Sequence, residues 1–384
     1  MSTATALGRS SESSSSLDDV ARAKVQAQST PPARTTKELK HKTAAPKRYK
    51  TVWAALRYLR HLTPQQVDDF MASYVIYNLD WSDEGAMVAA LGENYQQRVG
   101  ECLRAYYGVL NHLCALGDVE KMYIPPWMSR GASVRENQLL YERSIADDLR
   151  LQPGQRVLDL GCGRGRVAAH MARYSGALVT GLNIDPNQIG QARAFNQQRG
   201  LSNSFVVQDF NSLPLPFDDA SFDGFYQIQA LSLCKDLPAL FAEIFRVVKP
   251  GARLSLLDWV SLPAYDAGNA EHAELMRRVK PLIGAVGTPT PASLEQALRQ
   301  AGFEVERSDN ASIDGLQAPL IETVDFYFRS MRQLILALVK MHALPPHFKT
   351  LINRLCLDGE AFVKMDNMRL ATTSYRIIAR KPAA

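Results

Sequence analysis

Val157-Leu158-Asp159-Leu160-Gly161-Cys162-Gly163-Arg164-Gly165-Arg166 decides the reading of this 384-residue chain. An apolar run long enough for a buried strand ends in three glycines at every second position, and a helical pattern follows. Glycine permits a tight turn and a close backbone approach to a ligand, and the opening turn of the next helix supplies unpaired N–H groups. A nucleotide-like ligand suits such a loop. The spacing is GxGxG, one residue short of the GxGxxG of a dinucleotide-binding turn. Cys162 reads as a small packed residue, and Arg164 and Arg166 as solvated residues of the first helical turn.

Downstream, strands and helices alternate. Strands are predicted over Arg156–Leu160 and residues 178–182, 205–208, 224–228 and 253–259, with helices over 166–174, 187–199 and 237–247. Strands separated by helices at this spacing predict an α/β fold with a parallel sheet covered on both faces. Two further strands, at 304–308 and 374–379, flank a helical insertion at about 309–370, so seven strands are expected. Upstream, residues 51–150 carry apolar residues at helical spacing, with Thr63-Pro64-Gln65-Gln66 as a capping box, and read as a helical cap. The sheet domain then spans 151–384. Residues 1–50 are rich in Ser, Thr, Pro and Lys without an apolar period and are expected to be disordered.

Charge narrows the partners. Residues 1–50 hold ten Lys or Arg against four Asp or Glu, so the net charge of +5 divides into +6 there and −1 over the rest. Nucleic-acid binding by the body gains no support. Five scattered cysteines without CxxC spacing fit neither a disulfide framework nor a metal site, and a reducing, cytoplasmic location is expected, with organelle targeting by the first fifty residues the lesser alternative. No transmembrane segment is expected, peripheral membrane contact stays open, and the oligomeric state is not readable.

Three strand ends converge on one crevice, where open sheets bind ligands. Asp159 precedes the loop. Asn183 and Ile184 end the second strand, with Gln188 one helical turn on; Asp209 and Phe210 follow the third. The blander readings are a helix cap for Asp159 and a surface turn for Asp209.

With these stretches, and with Arg246-Val247-Val248-Lys249-Pro250-Gly251 and Asp258-Trp259-Val260, the sequence resembles the class I methyltransferases. More narrowly, it resembles the sterol C-methyltransferases, which alkylate the sterol tail, and the lipid cyclopropane synthases, from about Tyr106 onward. The resemblance implies a Rossmann-like sheet of seven mostly parallel strands, the last antiparallel. It also implies S-adenosyl-L-methionine as cofactor, with S-adenosyl-L-homocysteine as product and no metal. By the same resemblance Asp159, Gly161 and Gly163 surround the methionine portion, Asn183 and Gln188 reach the ribose, and Asp209 and Phe210 hold adenine. Gln227 lines the methionine side, and Tyr123 contacts the carboxylate.

Where the sterol enzymes present an acid and then a histidine, this sequence has Gln229 and Leu233. A carbocation formed by alkene attack needs electron-rich groups and a base, and Gln229 offers a dipole without charge. Tyr226, Gln229, Asp258 and His272 are the catalytic candidates; Tyr106 and Tyr107 are candidate pocket walls whose alternative is core. C-methylation of an isoprenoid, sterol-like or other lipophilic small molecule is the leading expectation. N- or O-methylation of a smaller metabolite and cofactor binding without methyl transfer are the alternatives.

Overall fold

The computed structural model describes residues 46–383 apart from 82 and 118. The expectation of disorder over 1–50 therefore falls mostly outside the described residues. Its last five positions already belong to a helix, α1 (Pro46–Arg60), which proline opens and which buries Ala55 and Leu59 at helical spacing. Residues 48–384 form one unit.

Within that unit lies a seven-stranded sheet of order β3-β2-β1-β4-β5-β7-β6. Its strands are β1 (Arg156–Leu160), β2 (Leu178–Asn183), β3 (Ser204–Val207), β4 (Phe222–Ile228), β5 (Val248–Ser261), β6 (Glu304–Asn310) and β7 (Ala371–Arg380). The first five run parallel; β7 lies antiparallel between β5 and β6. This is the expected mostly parallel sheet. Both faces of β1 are buried, because alternate side chains feed two cores. Val157 packs with Tyr141, Ile145, Met171 and Val179, whereas Leu158 and Leu160 pack with Leu182, Phe225, Leu240 and Phe241.

Helices α2 (Pro64–Ala72), α3 (Glu84–Leu91) and α4 (Tyr95–Leu116) form the cap with α1. The Thr63 capping box is present: Gln66 N–H donates to Thr63 Oγ1 at 3.2 Å, and Thr63 N–H to Gln66 Oε1 at 2.9 Å. Helix α5 (Val134–Asp148), read with the cap, instead lays Tyr141 and Ile145 on the sheet. Around the sheet follow α6 (Arg166–Ser175), α7 (Pro186–Gln197), α8 (Leu237–Val247), α9 (Ala270–Ile283) and α10 (Pro291–Gln300). The insertion consists of α11 (Ala318–Lys340), α12 (His347–Leu355) and α13 (Gly359–Asn367). Although far apart in sequence, cap and insertion share one core: Leu59, Phe70, Tyr106 and Leu110 pack with Ile335, Phe348 and Leu351.

Candidate functional site

Strand β1 pairs with β2 on one side and β4 on the other, so the strand order reverses there and a crevice opens at the carboxyl ends. The glycine-rich loop occupies that point. Gly161, Gly163 and Gly165 have φ of +79°, +50° and +66°, values that residues with a Cβ rarely adopt. A Cβ at Gly161 would stand 2.8 Å from Ala230 Cβ, and one at Gly165 2.8 Å from Ala192 Cβ. Glycine at these positions lets Ala230, two residues past β4, and α7 come against the loop. The loop is pinned to β2, since Gly161 and Cys162 N–H both donate to Leu182 O at 2.9 and 3.0 Å.

The cleft beside the loop holds about 530 Å³ of atom-free space, part of it open to solvent, between Asp159, Gly161, Gly163 and Gln188 on one wall and Asn111 and Lys121 on the other. Asp159 is buried, and burial pushes its pKa up to about 7; the Tyr226 hydroxyl, donating to Asp159 Oδ2 at 2.8 Å, acts the other way. Tyr226 is one of the catalytic candidates, but its hydroxyl is engaged by Asp159. It is a fully buried support for that carboxylate.

Tyr123 also differs from expectation. Its hydroxyl donates to Glu142 Oε1 at 2.8 Å and to Gln138 O at 3.1 Å, so the phenol is tied down rather than offered to a ligand carboxylate. Glu142, fully buried on α5, also receives both-oxygen contacts from Lys121 Nζ at 2.5 Å and lies 2.6 Å from His170 Nδ1. Burial lowers the Lys121 pKa while Glu142 opposes the shift. Gln138 Nε2, one turn back along α5, donates to the carbonyls of Lys121 and Tyr123. One face of α5 thus holds the segment that forms the far wall.

The remaining cofactor candidates divide. Asn183 ends β2 with a buried, unpartnered Nδ2, and Ile184 beside it is half-buried. Gln188 lines the cleft. Asp209 is half-buried and its Oδ1 accepts from Asn211 N–H at 2.9 Å, forming the turn that was its blander reading; Phe210 packs against the sheet core. Gln227 does not line the methionine side, because its fully buried amide accepts from Ala230 N–H at 3.0 Å and donates to Leu257 O at 3.3 Å.

Among the catalytic candidates, Gln229 is a bracket. At φ +53° its Oε1 accepts from Ile124 N–H at 3.1 Å and its Nε2 donates to Ile124 O at 2.7 Å and Thr373 O at 2.8 Å. Its amide is taken up in joining β4, the far-wall segment and β7. His272 sits in the first turn of α9, accepting from Asp266 N–H at 3.2 Å and stacked on Tyr265. This arrangement closes a surface turn and gives no support to a catalytic role. Asp258 is buried at the carboxyl end of β5, where it accepts from Leu231 and Trp259 N–H at 2.7 Å each; burial raises its pKa to about 6. Tyr107 is close enough for the Asp258 charge to assist burial in raising its pKa to about 12. Tyr106 is core, with its hydroxyl on Pro281 O at 3.0 Å. Leu233 packs against the cap core.

Arg164 and Arg166 are half-buried rather than solvated. Arg164 donates to Glu120 O at 2.7 Å, and Arg166 stacks 3.4 Å from the Phe195 ring centroid. Cys162 is a packed thiol whose pKa burial pushes far up. Among the described residues no group of three His, Cys, Asp or Glu residues could hold a metal ion, and no helix is long and apolar enough to cross a membrane.

Comparison with known proteins agrees with this geometry. Residues 158–256 match the family model of a methyltransferase domain. Botryococcene C-methyltransferase of Botryococcus braunii is 32% identical over 258 residues, spanning 66% of this chain and 68% of that protein. The 24-methylenesterol C-methyltransferase 2 of Oryza sativa subsp. japonica is 33% identical over 216 residues, 56% of this chain and 59% of that protein. Mycolic acid cyclopropane synthase, solved with S-adenosylhomocysteine, superposes with a TM-score of 0.57 at 15% identity, over 68% of this chain and 90% of that one, a likeness of fold alone. The sheet and its loop define the class I methyltransferase fold. The protein belongs to the methyltransferase family that contains the sterol and botryococcene C-methyltransferases. It spans about three fifths of the length of the first curated relatives it matches.

Proposed function

We propose that this protein is an S-adenosylmethionine-dependent C-methyltransferase of a lipophilic small molecule, of the isoprenoid or sterol-like class. The observation that carries the reading is the glycine loop at the β1/β4 reversal, with Asp159 in the cleft wall and the aromatic core of the cap nearby. The residues present fit the cofactor. Two buried amide atoms lack protein partners, Asn111 Oδ1 in the cleft and Asn183 Nδ2 at the end of β2, and unmade hydrogen bonds of this kind are costly unless a ligand completes them. When bound, the cofactor supplies an activated methyl group on positive sulfur.

The protein's own contribution is positioning and charge. Asp159 offers a carboxylate to a cationic ligand, held in place by Tyr226. Asn183 and Gln188 supply amides toward a ribose, while Asp209 and Phe210 border the adenine end. On the acceptor side, Asp258 at the carboxyl end of β5 is the candidate acid, its carboxylate fixed by Leu231 and Trp259 N–H, and its charge reaches Tyr107. A negative charge and an aromatic ring stabilise positive charge that develops when an alkene is the nucleophile. Leu233, where the sterol enzymes carry histidine, extends the apolar cap toward the sheet and supports an apolar acceptor.

The test incubates the protein with methyl-labelled cofactor and pools of sterols, linear isoprenoids and small amines, read by mass spectrometry. A labelled lipid with a new carbon–methyl bond is the expected product. Label in an amine or hydroxyl product transfers the function to N- or O-methylation. Tight cofactor binding without any product overturns methyl transfer.

A further inference from the structure

Helix α11 carries an apolar face that the described fold leaves uncovered. Of its 23 residues only Ala318, Leu320 and Ile335 are buried. At about 100° per residue, a flank running from about 80° to about 180° away from Ile335 presents Phe326, Tyr327, Ser330, Leu334, Ala337 and, just past the helix end, Met341, with exposed Gln333 and Lys340 beside it. Phe326, Leu334 and Met341 are 75%, 60% and 65% exposed. Ser330, the one hydroxyl without an aromatic ring in this row, already donates to Phe326 O at 2.9 Å. Four large apolar side chains, Phe326, Tyr327, Leu334 and Met341, spaced along one exposed flank of a helix mark an interaction surface.

Beyond Leu334 the charges near this row are cationic, while Glu322, Asp325 and Glu360 lie toward its N-terminal end. From Phe326 to Leu357 the sequence contains no Asp or Glu but holds Arg329, Arg332, Lys340, Lys349 and Arg354. Arg329 is paired with Asp325 and Glu360, and Arg354 with Asp358. Lys340 and Lys349 are exposed, with no carboxylate within ion-pair distance among the described residues. Next to them lies α1, joined by Arg60 donating to Ala343 O at 3.3 Å and by His347 Nε2 at 2.8 Å from Leu59 O. Residues 46–60 likewise contain no acid, and Arg57 and Arg60 are exposed. Glu322, in the opening turns of α11, is the exposed acid at the far end of the row.

We propose that this face docks the protein onto an anionic lipid bilayer, with Phe326, Leu334 and Met341 entering the interface and Lys340, Lys349, Arg57 and Arg60 meeting the headgroups. An apolar stripe bordered by cations is the pattern of a helix lying in a membrane surface, and the negative leaflet attracts such a rim. Two copies paired with these helices parallel would set cation against cation, and the antiparallel arrangement, with Lys340 toward Glu322, is the competing occupant that a dimer measurement separates from lipid. The inference does not depend on the proposed methyl transfer.

The experiment is sedimentation of the full-length protein with phosphatidylcholine vesicles, with and without about one third phosphatidylserine. Binding is expected to the anionic vesicles and to weaken with added salt. The triple variant Phe326→Ser, Leu334→Ser, Met341→Ser is expected to bind about a hundredfold more weakly, since each of the three residues brings several carbons to the interface. Lys340→Glu with Lys349→Glu should weaken anionic binding while leaving binding to neutral vesicles as it was. Calorimetric titration with S-adenosylhomocysteine checks that each variant remains folded and that the cleft is intact. Equal partition to neutral and anionic vesicles, or a triple variant that sediments like the parent, overturns the proposal. A concentration-dependent dimer abolished by the triple variant, with no vesicle binding by either form, assigns the face to a second copy and overturns it as well.

Discussion

Changing Tyr226 to Phe removes a single oxygen and isolates what its hydroxyl does for Asp159. Burial raises the Asp159 pKa from 3.8 to about 7, and the 2.8 Å hydrogen bond from Tyr226 is the first factor that restrains it. A hydrogen bond to an ionised group is worth about 1.5–3 kcal/mol, and one pKa unit corresponds to about 1.4 kcal/mol. The variant should therefore carry Asp159 about one to two units higher. Because the folded-state pKa exceeds the unfolded one, the folded protein holds the extra proton between about pH 4 and pH 7. Fold stability accordingly declines as pH rises through that window and levels above it. A cationic ligand selects the ionised carboxylate, so its affinity moves the opposite way, rising to about pH 7 and falling roughly tenfold per unit below. Calorimetric titration with S-adenosylmethionine, whose sulfonium gives it a net positive charge, from about pH 5.5 to about 9 in two buffers of different ionisation enthalpy reads both affinity and proton release. Parent protein should show a midpoint near 7 with proton release at pH 6, and Tyr226→Phe a midpoint one to two units higher. A flat profile for the parent, or an unmoved midpoint in the variant, refutes the assignment of Asp159 and of its support.

Three further substitutions probe the frame of the cleft. Gly161→Ala should cost about 1–3 kcal/mol in urea unfolding, because its φ of +79° and the 2.8 Å approach to Ala230 Cβ both oppose a methyl group there. Glu142→Gln should cost about 3 kcal/mol or more, since it strands the Lys121 ammonium beside a neutral partner; adding Lys121→Met should recover part of the loss, and strict additivity in the double-variant cycle would contradict the pairing. Gln229→Leu should lower stability by about 2–4 kcal/mol by leaving Ile124 and Thr373 backbone groups unpaired, and a thermal midpoint equal to the parent's would argue against the bracket.

The part of the fold that was legible in the sequence is the part governed by local signals. The strand before the loop ends at Leu160 as expected, because consecutive apolar residues followed by Gly161 allow little else. Helix α10 went unread although Thr290-Pro291 repeats the signal of Thr63-Pro64, as its short amphipathic pattern lies among loop-like residues. At the cleft, the glycines announced themselves by spacing, and Asp159 through the resemblance to methyltransferases. Lys121, Glu142 and His170 did not, because residues separated by 21 and 28 positions share no sequence period, and only the packing of α5 against α6 brings them together. Gln229 misled for a related reason. Its position after β4 suggested a group facing a ligand, but a left-handed backbone turns its amide toward two other segments. His272 followed a recognisable helix start, where the turn itself satisfies the ring nitrogen.

The place of β7 in the sheet bears on how the protein comes into being during synthesis. Among the described residues, strand β6 pairs through its backbone only with β7, which is the latest of the seven strands to be made. A nascent polypeptide that has emerged through residue 370 has no partner for β6, leaves one edge of β5 bare, and lacks the Thr373 carbonyl that anchors Gln229. Bare edges of this kind are prone to mispairing. Ligand competence should therefore arrive in one late step, with the emergence of Ala371–Arg380, rather than grow as each helix and strand leaves the ribosome.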